Sequence, residues 1–258
     1  MIDLHCHILP ELDDGSFSVE ESLAMARAAI ADGIKTLVAT PHTLNGVYSN
    51  STRMVTDQVA RLREIFLTEK LDLDLRSGSE AHISIQMAER VASGEIATIN
   101  NNGRYVLVEF PVQAVPLGFQ EELFHLKLGG ITPIISHPER NMILQQRPEF
   151  LYDLVAMGCL LQITAMSITG ELGQDAMKCA NKLLDCRLAH VIATDAHSSM
   201  NRPPILSPGV ETAANILGSV EEAEAMVTTR PGDILAGCPL DIPEPKRPGK
   251  KSWFFRKK

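Results

Sequence analysis

Cysteine is scarce and badly placed for pairing. The 258-residue chain has five, Cys6, Cys159, Cys179, Cys186 and Cys238, odd in number, scattered, and without a CxxC pair. That excludes a disulfide framework and points to reduced thiols in a cytoplasm. No cysteine is followed six residues later by arginine, which closes the thiol route to phosphate-ester chemistry. A GxxxxGK[ST] phosphate loop is missing as well, which argues against an NTPase. No apolar run approaches the roughly eighteen residues of a membrane span. Asp3, His5 and His7 stand where a signal peptide would carry its basic and apolar regions, so no leader is expected. Positive charge is outnumbered over most of the chain. Residues 1–245 hold 17 of the 24 basic groups and all 32 acids, a balance of −15 within a net charge of −8. Such an acidic body is a poor nucleic-acid binder and a reasonable cage for cations.

What is present is an alternation of short β-branched runs and helical patterns. Strands are predicted near Ile2–His5, Ile34–Thr40, Leu71–Ser77, Tyr105–Phe110, Ile131–Ser136, Leu160–Thr164 and His190–Thr194. Ser18-Val-Glu-Glu21 matches a capping box and opens a helix carrying Leu23, Ala26 and Ile30, closed by Gly33. Val55, Val59, Leu62 and Phe66 keep helical spacing, and further helices are predicted at 116–128, 148–157, 171–185 and 207–217. Alternation of this kind implies parallel strands.

The strand ends choose between an open sheet and a barrel. His5 and His7 close the first strand and Asp14 lies in the loop after it; His42 follows the second, Glu80 the third; Glu109 ends the fourth; His137 follows the fifth; Asp195 and His197 follow the seventh. Only the sixth, LLQIT, ends without a strong ligand. Distant strand ends do not converge in an open sheet, but they meet at one mouth in a barrel, where such folds keep their chemistry. A seven-stranded α/β barrel over residues 1–238 is therefore expected. His-x-His on a strand places both imidazoles on one face and Cys6 on the other. Taken singly, each motif is weak: His-x-His can be ordinary polar residues at a strand end, and Asp13-Asp14-Gly15 an ordinary turn. Their sum points to two or three ions. A mixed nitrogen and oxygen set suits Mn, Fe or Zn better than Mg or Ca. His82, His125 and His190 have no partner in the pattern and read as surface or core histidines, although His82 lies close enough to Glu80 to support it.

HCHILPELDDG (5–15), TPH (40–42), GSEAH (78–82), SHPER (136–140) and TDAH (194–197), in that order, resemble the polymerase-and-histidinol-phosphatase (PHP) superfamily. The opening is similar to that of the bacterial protein-tyrosine phosphatases of capsule and exopolysaccharide operons. The resemblance spans most of residues 1–240. It implies a distorted (β/α)7 TIM-like barrel with a trinuclear centre of Mn or Fe. It implies activity on the tyrosine-rich tail of a membrane-linked bacterial tyrosine kinase. It also implies a partition: His5, His7, Glu80 and Asp195 around one ion; Glu80, Glu109 and His137 around a second; Asp14, His42 and His197 around a third.

Clustered cations lower the pKa of water so that hydroxide is available near neutral pH to attack phosphorus. Arg140, three residues after His137, and Arg202, five after His197, match phosphate-contacting arginines of the family, and guanidinium binds phosphate in a charged fork. Each is otherwise a surface arginine. A phenol, with a pKa near 10, leaves with little protonation, which fits the lack of a dedicated acid outside the ligand set. Three rivals remain open. One is another PHP phosphoesterase, acting on histidinol phosphate or single-stranded nucleic acid. An amidohydrolase-like barrel is the second, though it would call for a strand-end lysine that is not seen. The third is a non-catalytic metal-dependent module that masks the kinase tail. Residues 239–258 form a separate appendage, proline-rich and then basic, ending KKSWFFRKK, and expected to be mobile. Its lysines, arginines and aromatics suit peripheral contact with an anionic membrane; the plainer alternative is a solubilising tail.

Overall fold

The computed structural model describes residues 1–249. Nine parallel strands succeed one another: β1 (Ile2–Cys6), β2 (Thr36–Ala39), β3 (His42–Thr43), β4 (Asp74–Ser77), β5 (Glu80–His82), β6 (Tyr105–Glu109), β7 (Thr132–Ser136), β8 (Leu160–Thr164) and β9 (Val191–Ala193). All seven predicted strands are among them. Two more arise because the second and third runs continue past a break. Pro41 has no N–H to give a ladder and separates β2 from β3. Gly78 and Ser79 separate β4 from β5. A Cβ on Gly78 would lie 3.1 Å from Val38 Cγ1 and 3.2 Å from Ile99 Cδ1, so this bend needs the missing side chain.

These breaks divide the strands into two parallel sheets, β1-β2-β4 and β3-β5-β6-β7-β8-β9. The fold is α/β with parallel sheets that do not close by regular pairing. Single backbone hydrogen bonds carry the ring across the breaks, Glu80 N donating to Pro41 O (3.1 Å) and Thr40 N to Cys6 O (3.0 Å). At the other seam, Asp195 N donates to His5 O (2.9 Å) and His7 N to Ala196 O (2.8 Å). One buried cluster gathers Leu4, Val38, Leu107, Ile134, Leu160 and Val191, from six different strands. That clustering requires the strands to curl around a common interior. A larger cluster fills the space between the strands and the surrounding helices. The predicted helices form at Val19–Ala31, Thr52–Thr68, Phe119–Leu128, Pro148–Ala156, Gln174–Asp185 and Ser207–Leu217. Short helices at Met87–Ala92, Ala165–Thr169, Val220–Ala225 and Thr229–Ala236 were not predicted. At five to eight residues, these helices are too short to show a clear apolar period.

Residues 239–249 have no regular secondary structure but lie against the body. Leu240 and Ile242 pack on the inner cluster. Lys246 N donates to Cys186 O (2.8 Å), and the Arg247 guanidinium sits 4.8 Å from the Tyr152 ring centroid. The basic, aromatic run 250–258 lies outside the described residues.

His190 belongs to the core, as expected, and not to the site. Its Nδ1 accepts from Leu161 N (2.9 Å). Burial, together with the nearby Arg230 charge, pushes its pKa down to about 3. The unfolded chain therefore binds one more proton than the native state between about pH 6.5 and pH 3. Stability is complete above pH 6.5 and declines as pH falls through that window, by up to about 1.4 kcal/mol per unit. An asparagine oxygen can replace Nδ1 as acceptor without titrating. His190→Asn is expected to flatten the acid limb of a denaturation-midpoint profile between pH 6 and 4; an unchanged slope would refute this assignment.

Candidate metal centre

The first two candidate ligands are aimed by an irregularity in β1. Asp3 pairs with Leu37 and Cys6 with Ala39, so β1 carries one residue more than β2 between these pairs. A bulge of this kind re-aims side chains. Leu4 joins the inner cluster and Cys6 the outer one. His5 and His7 meet with their Nε2 atoms 3.0 Å apart. Asp3 supplies the hydrogen bonds of the irregularity. Its carboxylate accepts from His5 N (3.3 Å), Thr194 N (3.0 Å) and Thr194 Oγ1 (2.5 Å). Burial raises the Asp3 pKa to about 6 against these donors.

Around this pair the strand ends converge. His5 Nε2 lies 3.3 Å from both Glu80 Oε2 and Asp195 Oδ1; His7 Nε2 lies 3.5 and 3.4 Å from the same two atoms. These five separations, 3.0–3.5 Å, are the spacing of donors that each lie about 2.0 Å from a common transition-metal ion. Three donor sets can each hold an ion: His5, His7, Glu80 and Asp195; His42, Glu80 and Glu109; His7, Asp14, His42 and His197. His137 Nε2 lies 2.8 Å from the other Glu80 oxygen. All nine predicted ligand positions are thus brought together.

The histidine tautomers suit this use. Nδ1 of His5 is 2.9 Å from Gln162 Oε1, Nδ1 of His7 is 2.7 Å from Asp13 Oδ2, and Nδ1 of His197 is 2.9 Å from Asp195 O. Each of those oxygens can only accept, so the proton sits on Nδ1 and Nε2 keeps its lone pair for a metal. Buried polar atoms supply a second test of fit. His42 Nδ1 and Glu80 Oε2 are 2.9 Å apart, yet neither has a hydrogen-bond partner among the described residues. A buried Glu80 oxygen left without a donor fits a cation ligand. Burial alone would protonate Glu80 and Asp195, but His5 opposes it at both, with His137 at Glu80 and His7 at Asp195. The net effect holds both well below the usual carboxylate range. They are charged and ready to ligate at neutral pH. Burial and the Glu80 charge push Glu109 up instead.

Both predicted arginines reach this cluster. Arg140 Nη1 donates to Asp195 Oδ2, and Arg202 Nη2 donates to the same oxygen (2.5 Å) and to Asp195 O (2.9 Å). Their side chains remain 28% and 26% exposed, so donors are left for a ligand. The turn that carries Arg202 is held by Glu21, which accepts from Ser199 N (2.6 Å) and Ser199 Oγ (3.2 Å). The predicted capping box is thus half made. Ser18 accepts from Glu21 N, while the Glu21 carboxylate serves the site.

Asp3, Asp13 and Gln162 were not among the predicted site residues. For Gln162 a signal existed: it alternates with Leu160 on the inner face of the strand that seemed to lack a ligand. His82 and His125 join no donor set; His125 is exposed.

The sequence pattern of the family described as capsular polysaccharide synthesis, CpsB/CapC, matches residues 1–236. This chain belongs to the CpsB/CapC family. The tyrosine-protein phosphatase YwqE of Bacillus subtilis (strain 168) is 38% identical over 202 residues, covering 78% of this chain and 79% of the relative. The tyrosine-protein phosphatase CpsB of Streptococcus pneumoniae is 31% identical over 232 residues, covering 88% and 95%. A crystal structure from among YwqE and CpsB, described as metal-dependent tyrosine phosphatases, superposes with a TM-score of 0.92 at 34% identity, over 97% of this chain and 100% of that one. The histidinol phosphate phosphatase of Lactococcus lactis shares the fold alone, with a TM-score of 0.55 at 13% identity over 85% of this CpsB/CapC chain and 93% of that one.

Proposed function

We propose that this CpsB/CapC member is a metal-dependent phosphatase acting on phosphotyrosine in proteins. The observation that carries the proposal is the convergence of His5, His7, Glu80 and Asp195 on one point beside the Arg140 and Arg202 guanidiniums. Family membership supports the substrate class. A neutral imidazole has one lone pair, so His7 serves one ion only. His5, His7, Glu80 and Asp195 would hold the first; Glu80, Glu109 and His137 the second; Asp14, His42 and His197 the third. Bound cations would activate water near neutral pH and offset phosphoryl charge. The protein's own groups do the rest. Gln162 and Asp13 keep His5 and His7 in the ligating tautomer. Arg140 and Arg202 turn donors to the phosphoryl oxygens, which fixes the ester for in-line displacement. The phenolate departs with little help from an acid.

Manganese or iron is the proposed native metal, with zinc the alternative. The proposed substrate is the phosphotyrosine-bearing tail of a membrane-linked bacterial tyrosine kinase, met in the cytoplasm. Among the described residues, no helix is long and apolar enough to cross a membrane. Contact with the anionic leaflet is assigned to residues 250–258. Anionic liposomes are expected to float the full chain but not a chain ending at residue 249; equal flotation would remove that role.

The test of function is phosphate release from a phosphotyrosine peptide, a phosphoserine peptide and histidinol phosphate, with manganese added or chelated. Release from phosphotyrosine alone is expected, abolished by chelator and restored by manganese. Preference for histidinol phosphate would keep the metals and overturn the substrate. No release from any ester by metal-loaded protein would favour a binding module instead.

A further inference from the structure

The loop after β6 and the turn after β7 stand side by side at the mouth, and both leave apolar side chains in water. Val112 is 52% exposed, Leu117 103%, Met142 50% and Ile143 40%. The two segments are fastened together. Met142 N donates to Val112 O (2.9 Å), and Asn141 Nδ2 donates to Pro111 O (2.6 Å) and Ala114 O (2.9 Å). A cavity of about 510 Å³ opens beside them, lined by Leu117, Phe119, Ile143 and Phe150, with Arg147 at its side. Its floor is rigid. Phe119 packs on Phe150 (centroids 5.5 Å apart) and edge-on to Phe110 (5.2 Å). Arg147 has no carboxylate within ion-pair distance among the described residues.

Two short stretches of chain link the surroundings of this cavity to the candidate centre. Phe110 directly follows Glu109, and Ile143 lies three residues after Arg140. A polypeptide whose phosphate reached Arg140 would run its flanking residues past Ile143 and Leu117. Resting on the reading of this site as a phosphotyrosine phosphatase, we infer that the cavity is a subsite for the substrate polypeptide. It takes an apolar side chain near the phosphotyrosine, seated on Phe119 and Phe150, with an acidic neighbour at Arg147. Apolar area supplies the attraction and the guanidinium adds complementarity. Small aryl phosphates do not reach it.

The test uses metal-loaded full chain and two phosphotyrosine peptide sets, one carrying a single Leu-Glu pair moved along a serine background and one with serine throughout. A small chromogenic aryl phosphate is run alongside. One placement of Leu-Glu is expected to raise kcat/KM about tenfold, the scale of burying most of a leucine. Leu117→Ser and Ile143→Ser are expected to erase that gain while leaving the aryl phosphate rate unchanged. Arg147→Ala is expected to erase only the part due to Glu. Equal turnover of all peptides by the unaltered chain, or a gain that survives both serine variants, would overturn the subsite. Failure to hydrolyse the aryl phosphate and every peptide would overturn the phosphatase reading instead.

Discussion

Glu80→Gln is expected to leave a folded protein that has lost its metal and almost all of its phosphatase activity. Glu80 is the hub of the cluster. Its Oε2 lies 2.9 Å from His42 Nδ1, 3.3 Å from His5 Nε2 and 3.5 Å from His7 Nε2, and its Oε1 lies 2.8 Å from His137 Nε2. An amide replaces one of these oxygens with an N–H₂ group, which donates and cannot ligate, and it removes the carboxylate's negative charge. A metal's stabilisation of transition-state charge is worth several kcal/mol, so a loss of at least about a thousandfold in kcat/KM follows. Metal content, measured on the purified protein, is expected to fall in parallel. The metal-free form is expected to stay folded but to lose some stability, because His5 and His137 lose the buried carboxylate that offsets their charge. Circular dichroism and the thermal midpoint of chelated protein separate the two outcomes. Glu80→Gln with full metal content and activity would remove Glu80 from the centre. Glu109→Gln, at the edge of one donor set, should cost less.

How much of this was legible depended on whether a residue's role follows from its own strand. His5, His7, Glu80, Glu109, His137, Asp195 and His197 could be read because parallel strands present their ends at one mouth, and ligand types recurred there. Residues that act through another chain segment were hidden. Asp3 lies two residues before His5, and its partner Thr194 is 191 positions away. Nothing local announces the one-residue irregularity that makes Asp3 necessary. Asp13 and Asp14 are neighbours of one chemical type, and only the loop's folded path sends Asp14 toward His42 and His197 and Asp13 to the back of His7. The division of the ring into two sheets was half legible. Pro41 is a visible interruption, but the bend at Gly78 depends on the distant side chains of Val38 and Ile99.

Gly15→Ala is expected to cost about a hundredfold in kcat/KM, although residue 15 carries no side chain of its own. A Cβ there would stand 2.2 Å from His7 O and 2.4 Å from His7 Cβ, well inside any tolerated contact. His7 cannot withdraw. Its N–H donates to Ala196 O (2.8 Å) and its carbonyl accepts from Ser16 N (3.0 Å). The 13–15 turn must therefore move away from the end of β1, and it carries two site residues with it. Asp13 would leave His7 Nδ1 (2.7 Å) and His42 N (2.9 Å); Asp14 would leave His42 Nε2 (3.4 Å) and His197 Nε2 (3.6 Å). Displacement by about 1 Å in a site of this kind costs on the order of a hundredfold, while overpacking itself costs about 1–3 kcal/mol of stability. The variant should remain folded, with its thermal midpoint lowered by a few degrees and metal lost from the His7 side of the cluster. Gly232→Ala is the matched control. It lies within the helix Thr229–Ala236, where an added Cβ meets only Ile2 Cδ1 at 3.8 Å. It should gain up to about 1 kcal/mol from helix propensity and keep full activity. Equal activity in the two variants would mean that the DDG turn yields without disturbing His7. A large loss in Gly15→Ala alone would mean that the glycine is retained because the ligand's own backbone occupies the space a side chain would need.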